Sequence, residues 1–83
     1  MTNKLKIYGT RWCGDCRRAL RILDERQINY DWIDIDQNKD GETFVRTANG
    51  GNRSVPTIIF PDESILVEPS SQALLDKLIS VGF

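Results

Sequence analysis

The chain has 83 residues and a net charge of -1, with 11 basic and 12 acidic side chains. Its length predicts one small domain, residues 1–83, and its 40% hydrophobic and 28% charged residues are typical of a folded globular protein. Because the charges balance, neither nucleic acid nor an anionic membrane is expected as a partner. The sequence contains no histidine, which excludes Ser-His-Asp and Cys-His nucleophiles and histidine-based metal sites.

The sequence also bears on location. No apolar run approaches the roughly 20 residues that a transmembrane helix needs. The first six residues alternate polar and apolar side chains and lack the apolar centre of a secretory signal peptide. We therefore expect a cytoplasmic protein, in a compartment that keeps cysteines reduced.

The first half of the chain predicts a strand, a helix and a second strand. Residues 4–8 alternate polar and apolar side chains and are followed by Gly9, as expected of a strand. From Cys16 onward, apolar residues recur three and four positions apart while arginines and acidic residues take the other side, which predicts an amphipathic helix. Residues 28–36 alternate again and are rich in aromatic and branched side chains, which predicts a second strand parallel to the first.

The second half predicts a helix, a hairpin and a closing helix. A short helix has Phe44, Val45 and Ala48 as its expected buried side, and two short strands over 55–60 and 65–67 are joined by a tight turn. A helix from about Pro69 carries an expected buried stripe of Leu74, Leu75, Leu78 and Ile79. The order βαβαββα predicts an α/β fold in three layers, with helices on both faces of a sheet.

Two cysteines stand in the sequence WCGDC, residues 12–16, between the first strand and the first helix. Cys13 precedes the first helical turn, where free backbone N–H groups and the helix dipole stabilise an anion such as a thiolate. Cys16 is in phase with Leu20 and Leu23 and is expected to face the interior. Because C-x-x-C beside a βαβ pattern is typical of a redox motif, Cys13 is the candidate nucleophile and Cys16 the candidate resolving cysteine.

Metal binding and a structural disulfide are the alternatives for these segments. A disulfide between the cysteines would close a minimal loop with little effect on chain entropy, and zinc needs about four ligands. Residues 36–41 match the first half of an EF-hand calcium loop, but Phe44 and Thr47 stand where two further oxygen ligands are due. We therefore expect no bound metal, and predict that Asn38 caps the following helix.

These features resemble the glutaredoxin branch of the thioredoxin superfamily over nearly the whole chain. The resemblance rests on the cysteine motif, on RSVPT at residues 53–57, which is similar to the family's T-V-P motif, and on FPD at residues 60–62. NGGN at residues 49–52 is most similar to the mycoredoxin-like glutaredoxins of bacteria. The resemblance implies a thioredoxin-like fold with a four-stranded mixed sheet flanked by three helices.

The resemblance also implies where a substrate binds. It implies a cis bond before Pro56, with the Val55 backbone facing Cys13 and pairing with the bound thiol peptide or its analogue. Arg11 and Arg53 are candidates for binding a substrate carboxylate. Ser70 and Ser71 could offer hydroxyl and N–H groups to an anion, or cap the last helix. The candidate substrate-binding residues are Arg11, Trp12, Arg53, Val55, Pro56, Ser70 and Ser71.

Two positions depart from the glutaredoxin pattern. Thr10 stands where the family commonly has lysine, three residues before the first cysteine. EPSS at residues 68–71 stands where the family has Gly-Gly-x-Asp, the segment that holds the γ-glutamyl end of glutathione. Both departures argue against the usual mode of glutathione binding.

The implied function is that of a thiol–disulfide oxidoreductase. It would reduce protein mixed disulfides, or protein disulfides, with a low-molecular-weight thiol of the mycothiol or glutathione type as co-substrate and with no bound cofactor. Its expected partners are disulfide-containing or S-thiolated proteins, and the chain itself is expected to be monomeric. Trp12 and Gly14 favour an alternative, a thioredoxin-like reductase recharged by a flavoprotein, and a further alternative is a non-catalytic module that binds a partner or a shared metal.

Overall fold

Residues 4–83 are described by a computed structural model and form seven elements in the order βαβαββα. Residues 1–3, part of the alternating N-terminal segment, lie outside the described residues. No helix within residues 4–83 has the length and apolar character needed to cross a membrane. The elements are β1 (Leu5–Gly9), α1 (Gly14–Glu25), β2 (Tyr30–Asp34), α2 (Lys39–Ala48), β3 (Thr57–Ile59), β4 (Ile65–Val67) and α3 (Ser71–Ser80).

The four strands form one mixed sheet in the order β2-β1-β3-β4. β1 and β2 are parallel, as predicted for strands joined by a helix, whereas β3 is antiparallel to both β1 and β4. Gly9 at the end of β1 is paired with Asp34 at the end of β2, and Tyr8 is paired with Thr57 at the start of β3. The loops after β1, after β2 and before β3 therefore meet at the same end of the sheet.

The sheet is covered on both faces, which gives the three predicted layers. On one face, α1 and α3 cover the main core. Burial of each leucine or isoleucine side chain in this core stabilises the folded state by about 1.5–3 kcal/mol. On the other face, the Tyr8 ring stacks on Phe44 of α2 with ring centroids 4.7 Å apart. The main core consists of Leu5, Ile7, Ala19, Leu23, Ile28, Ile58, Phe60, Leu74 and Leu78.

Two positions predicted to be buried are exposed, and both lie at the margin of a helix face. Ala48 is the last residue of α2 and is exposed, whereas Val45, one turn earlier, is fully buried. Ile79 in α3 is 63% exposed, while Leu74 and Leu78 are buried. Since successive helical residues are about 100° apart, Ile79 points away from the face that Leu78 buries. The buried stripe is thus narrower than predicted in both helices.

Candidate active site

Cys13 lies at the amino end of α1 and is its N-cap residue. Its sulfur accepts a hydrogen bond from the backbone N–H of Cys16 at 3.1 Å, and its own N–H donates to the Thr10 carbonyl at 3.4 Å. The residue is partly exposed and its thiol is free. The sulfur thus lies at a helix N-terminus, where free backbone N–H groups point at it.

Cys16 lies one turn further into α1 and is fully buried, as predicted from the periodicity. Burial, together with a hydrogen bond to Cys13, raises the pKa of the Cys16 thiol to about 12, so that this thiol is protonated at neutral pH. A Cβ atom at Gly9 would lie 2.7 Å from the Cys16 sulfur and 2.7 Å from the Trp32 ring. Glycine at the end of β1 therefore leaves the space that both side chains occupy.

The loop before β3 forms the second wall of the site. The Val55-Pro56 peptide bond is cis, as the resemblance implied, and the Val55 carbonyl oxygen lies 3.9 Å from the Cys13 sulfur. Pro56 is buried, and its carbonyl accepts a hydrogen bond from the Glu68 N–H at 2.9 Å. The structure thus brings together Cys13 and the Val55 backbone, 42 residues apart in the chain.

A cluster of charged and aromatic side chains flanks Cys13; we call Trp12, Asp36, Glu42 and Arg53 the Asp36 cluster. The Trp12 indole N–H donates to one oxygen of Asp36 at 2.9 Å, and Arg53 donates to the other at 2.6 Å. The hydrogen bonds from Arg53 and Trp12 hold the pKa of Asp36 below its usual value. Arg53 Nε also lies 2.7 Å from Glu42 Oε2, although its N–H is not aligned on that oxygen. Arg53, predicted to meet a substrate carboxylate, is therefore already paired with two carboxylates of its own chain.

The other predicted binding residues have local partners. Arg11 Nε lies 3.6 Å from Asp34 Oδ2, and the Arg11 side chain is 87% exposed, so this pair is loose. Ser70 is the N-cap of α3, and its hydroxyl accepts a hydrogen bond from the Ala73 N–H at 3.1 Å. Ser71 is the first residue of α3. Of the two uses considered for the serines, the structure assigns helix capping to Ser70.

The calcium-like loop at residues 36–41 has other bonding partners. Asp36 belongs to the Asp36 cluster, and Asn38 caps α2, as predicted, by accepting a hydrogen bond from the Gly41 N–H at 2.8 Å. Nowhere in residues 4–83 are three cysteine, aspartate or glutamate side chains grouped as a metal site requires. Sequence reasoning found the cap because capping is local, but it missed Asp36 and Glu42 as neighbours of the site, since their contacts join distant segments.

The glutaredoxin family model matches residues 5–65, a span that includes both cysteines and the Val55-Pro56 bond. A Mycobacterium tuberculosis protein that is provisionally named a glutaredoxin is 43% identical over 82 residues, which cover 99% of this chain and 98% of that protein. Mycoredoxin 1 of Corynebacterium glutamicum is 36% identical over 76 residues, which cover 92% of this chain and 94% of its own.

Solved structures extend the comparison to the fold. A crystal structure of a glutaredoxin from Methanosarcina mazei matches with a TM-score of 0.71 and 24% sequence identity, covering 98% of this chain and 80% of that one. The predicted thioredoxin-like fold, a four-stranded mixed sheet with three helices, is thereby confirmed. Glutaredoxins use a low-molecular-weight thiol as co-substrate. The chain therefore belongs to the glutaredoxin family and is a thiol–disulfide oxidoreductase.

Proposed function

We propose that this chain reduces mixed disulfides between proteins and a low-molecular-weight thiol, with Cys13 as the nucleophile. The observation that carries the proposal is the position of the Cys13 sulfur, partly exposed at the N-terminus of α1 and 3.1 Å from the Cys16 N–H. An anionic sulfur is stabilised there and remains within reach of a substrate. The chain acts as a monomeric single domain, residues 1–83, in the cytoplasm.

The first step transfers the small thiol to the enzyme. The Cys13 thiolate attacks the sulfur of the small-thiol half of the mixed disulfide, the original S–S bond breaks, and the protein thiolate leaves with the electron pair. A new disulfide joins Cys13 to the small thiol. The Val55 carbonyl, 3.9 Å from the Cys13 sulfur, is placed to accept a hydrogen bond from an amide of the bound thiol.

The second step regenerates Cys13. A second small-thiol thiolate attacks the small-thiol sulfur of the adduct, which releases the Cys13 thiolate and a symmetrical small-thiol disulfide. Alternatively, Cys16 attacks the Cys13 sulfur, its proton passes to the departing small thiolate, and a Cys13–Cys16 disulfide forms. Burial, the largest cause that raises the pKa of the Cys16 thiol, persists in the adduct and favours the small-thiol route at neutral pH.

Two observations favour a thiol of the mycothiol type over glutathione. Mycoredoxin 1, a relative with 36% identity, matches 92% of the chain. In addition, residues 68–71 lack the Gly-Gly-x-Asp segment that the resemblance links to the γ-glutamyl end of glutathione. S-thiolated proteins are the substrates of this reaction, and disulfide-containing proteins are a second class.

Two single variants test the proposal. Cys13→Ser should abolish release of the small thiol from an S-mycothiolated protein, whereas Cys16→Ser should keep the route that uses a second small thiol. Release is measured by mass spectrometry with mycothiol and glutathione substrates in parallel, and thermal unfolding verifies that both variants fold. Full turnover by Cys13→Ser would refute the assignment of the nucleophile.

A thioredoxin-like protein disulfide reductase is the second candidate, because Trp12 is 67% exposed beside Cys13 and offers an aromatic contact to a protein partner. In that case a flavoprotein of the thioredoxin reductase type would recharge the Cys13–Cys16 disulfide. The oxidised chain is mixed with NADPH and such a reductase, or with a small thiol alone. Faster reduction by the flavoprotein would favour this second function.

A further inference from the structure

Asp36 connects the two loops that border Cys13. One carboxylate oxygen accepts the Trp12 indole N–H at 2.9 Å, and Trp12 directly precedes Cys13. The other oxygen accepts a hydrogen bond from Arg53 Nη2 at 2.6 Å. Arg53 lies two residues before Val55, whose carbonyl oxygen faces the Cys13 sulfur. The Asp36 carboxylate therefore bridges the Arg53 guanidinium and Trp12, the residue that precedes Cys13.

The Arg53 guanidinium is paired with two carboxylates of the cluster. Glu42 Oε2 lies 2.7 Å from Arg53 Nε, so two carboxylates face one guanidinium, and Arg46 Nη2 contacts the same Glu42 oxygen at 3.2 Å. Hydrogen bonds from Arg53 and Trp12 keep the pKa of Asp36 low, so Asp36 remains ionised at neutral pH. A substrate carboxylate that approaches Arg53 must displace an ionised carboxylate or meet its repulsion.

We propose that Asp36 is a specificity-determining residue of the thiol site: together with Glu42 it occupies Arg53 and thereby selects against small thiols that carry carboxylates. This inference rests on the proposed function, since it concerns the thiol that Cys13 accepts. Glutathione carries two carboxylates and encounters the occupied arginine. A thiol whose polar groups are hydroxyls and amides meets no such repulsion and can donate hydrogen bonds to the Asp36 and Glu42 oxygens.

The test compares two disulfides that differ in carboxylate charge and in the alkyl groups that esterification adds. The reduced Cys16→Ser protein is mixed with glutathione disulfide or with the same disulfide esterified at all four carboxyl groups. In both reactions the Cys13 thiolate attacks one sulfur, the S–S bond breaks, and one glutathione or glutathione ester thiolate leaves. Mass spectrometry of quenched samples gives each rate constant for adduct formation, and their ratio, free acid over ester, cancels changes in Cys13 reactivity.

The inference predicts how this ratio changes in variants of the cluster. Asp36→Asn keeps an oxygen for Trp12 but removes the charge, and it should raise the ratio about fivefold because Arg53 can then bind a substrate carboxylate. The double variant Asp36→Asn/Glu42→Gln should raise it further. Adding Arg53→Gln to Asp36→Asn should return the ratio to its original value.

Asp40→Asn is the matched control, because Asp40 is an exposed carboxylate near the start of α2 that does not contact Arg53. It should leave the ratio unchanged. An equal rise in Asp40→Asn, or an unchanged ratio in Asp36→Asn, would overturn the inference, since the effect would then not pass through Arg53. Mycothiol disulfide is run in parallel, and absence of a Cys13 adduct with it would instead refute the proposed function.

Discussion

The Val55 carbonyl oxygen and the Cys13 sulfur lie 3.9 Å apart, although 42 residues separate them in the chain. As a thiol, Cys13 can donate its proton weakly to this carbonyl; as a thiolate, it has no proton to donate. A thiolate at Cys13 therefore leaves both lone pairs of this carbonyl oxygen without a donor from the cysteine. In the proposed mechanism, this oxygen then accepts a hydrogen bond from an amide of the bound thiol.

The different environments of the cysteines predict selective alkylation. In the reduced native protein at pH 7, iodoacetamide should modify Cys13 only, because Cys16 is fully buried and burial raises the pKa of its thiol to about 12. Peptide mass spectrometry identifies the modified residue, and urea-unfolded protein, which should react at both sites, is the control. Comparable rates at both cysteines in the native protein would contradict the burial of Cys16.

The contact at Gly9 predicts a stability difference between two glycine variants. Gly9→Ala would place a Cβ 2.7 Å from the Cys16 sulfur and from the Trp32 ring, and should lower the free energy of unfolding by about 1–3 kcal/mol. Gly14→Ala, where nothing lies within 4 Å of the new Cβ, should be neutral or stabilise α1 by up to about 1 kcal/mol. Urea unfolding of the reduced proteins measures both values, and equal effects would show that the close packing at Gly9 is absent.

Ser70 and Ser71 allow capping and substrate binding to be separated. Ser70→Ala removes the acceptor of the Ala73 N–H bond and should lower the free energy of unfolding by about 1 kcal/mol while kcat/KM stays the same. Ser71→Ala, inside the first turn of α3, should change stability by less than about 0.5 kcal/mol. A drop in kcat/KM for Ser70→Ala without a loss of stability would instead assign its hydroxyl to the substrate.

The lowered pKa of Asp36 predicts a pH dependence of the Asp36 cluster. The pKa of Asp36 in the folded state lies below its ordinary value of 3.8. The ion pair between Asp36 and Arg53 therefore stabilises the fold above pH 3.8, and this stabilisation is lost as the pH falls through the folded-state pKa. The Trp12 indole N–H resonance should report this transition in an NMR titration, with the Trp32 indole as an internal control. A Trp12 midpoint at or above pH 3.8, or an unaltered transition in Asp36→Asn, would contradict the contact.

Features that depend on neighbours in the chain could be predicted from the sequence. The N-cap position of Cys13, the burial of Cys16 and the Asn38 cap each follow from spacings of three or four residues along a helix. The parallel pairing of β1 and β2 follows from the helix that connects them. These local patterns were sufficient to place Cys13 at the start of the helix and Cys16 in the interior.

The contacts of Arg53 could not be predicted in this way. Arg53 and Asp36 are 17 residues apart in the chain. They meet because the pairing of β1 with β2 and with β3 brings their loops to the same end of the sheet. The family resemblance suggested an arginine available to a substrate carboxylate, whereas the fold pairs it with two carboxylates of the chain. The width of a buried helix face is likewise set by what packs on it, which explains the exposure of Ile79.

The close approach at Gly9 has a spectroscopic consequence. The Cys16 sulfur and the Trp32 ring lie against the same glycine, so a change in the oxidation state of that sulfur is expected to change the surroundings of the indole. Conversion of Cys16 from thiol to disulfide should alter the emission of Trp32, and Trp12→Phe leaves Trp32 as the single tryptophan of the chain. We therefore expect the emission of Trp32 to report oxidation of the cysteine pair in real time, without a label.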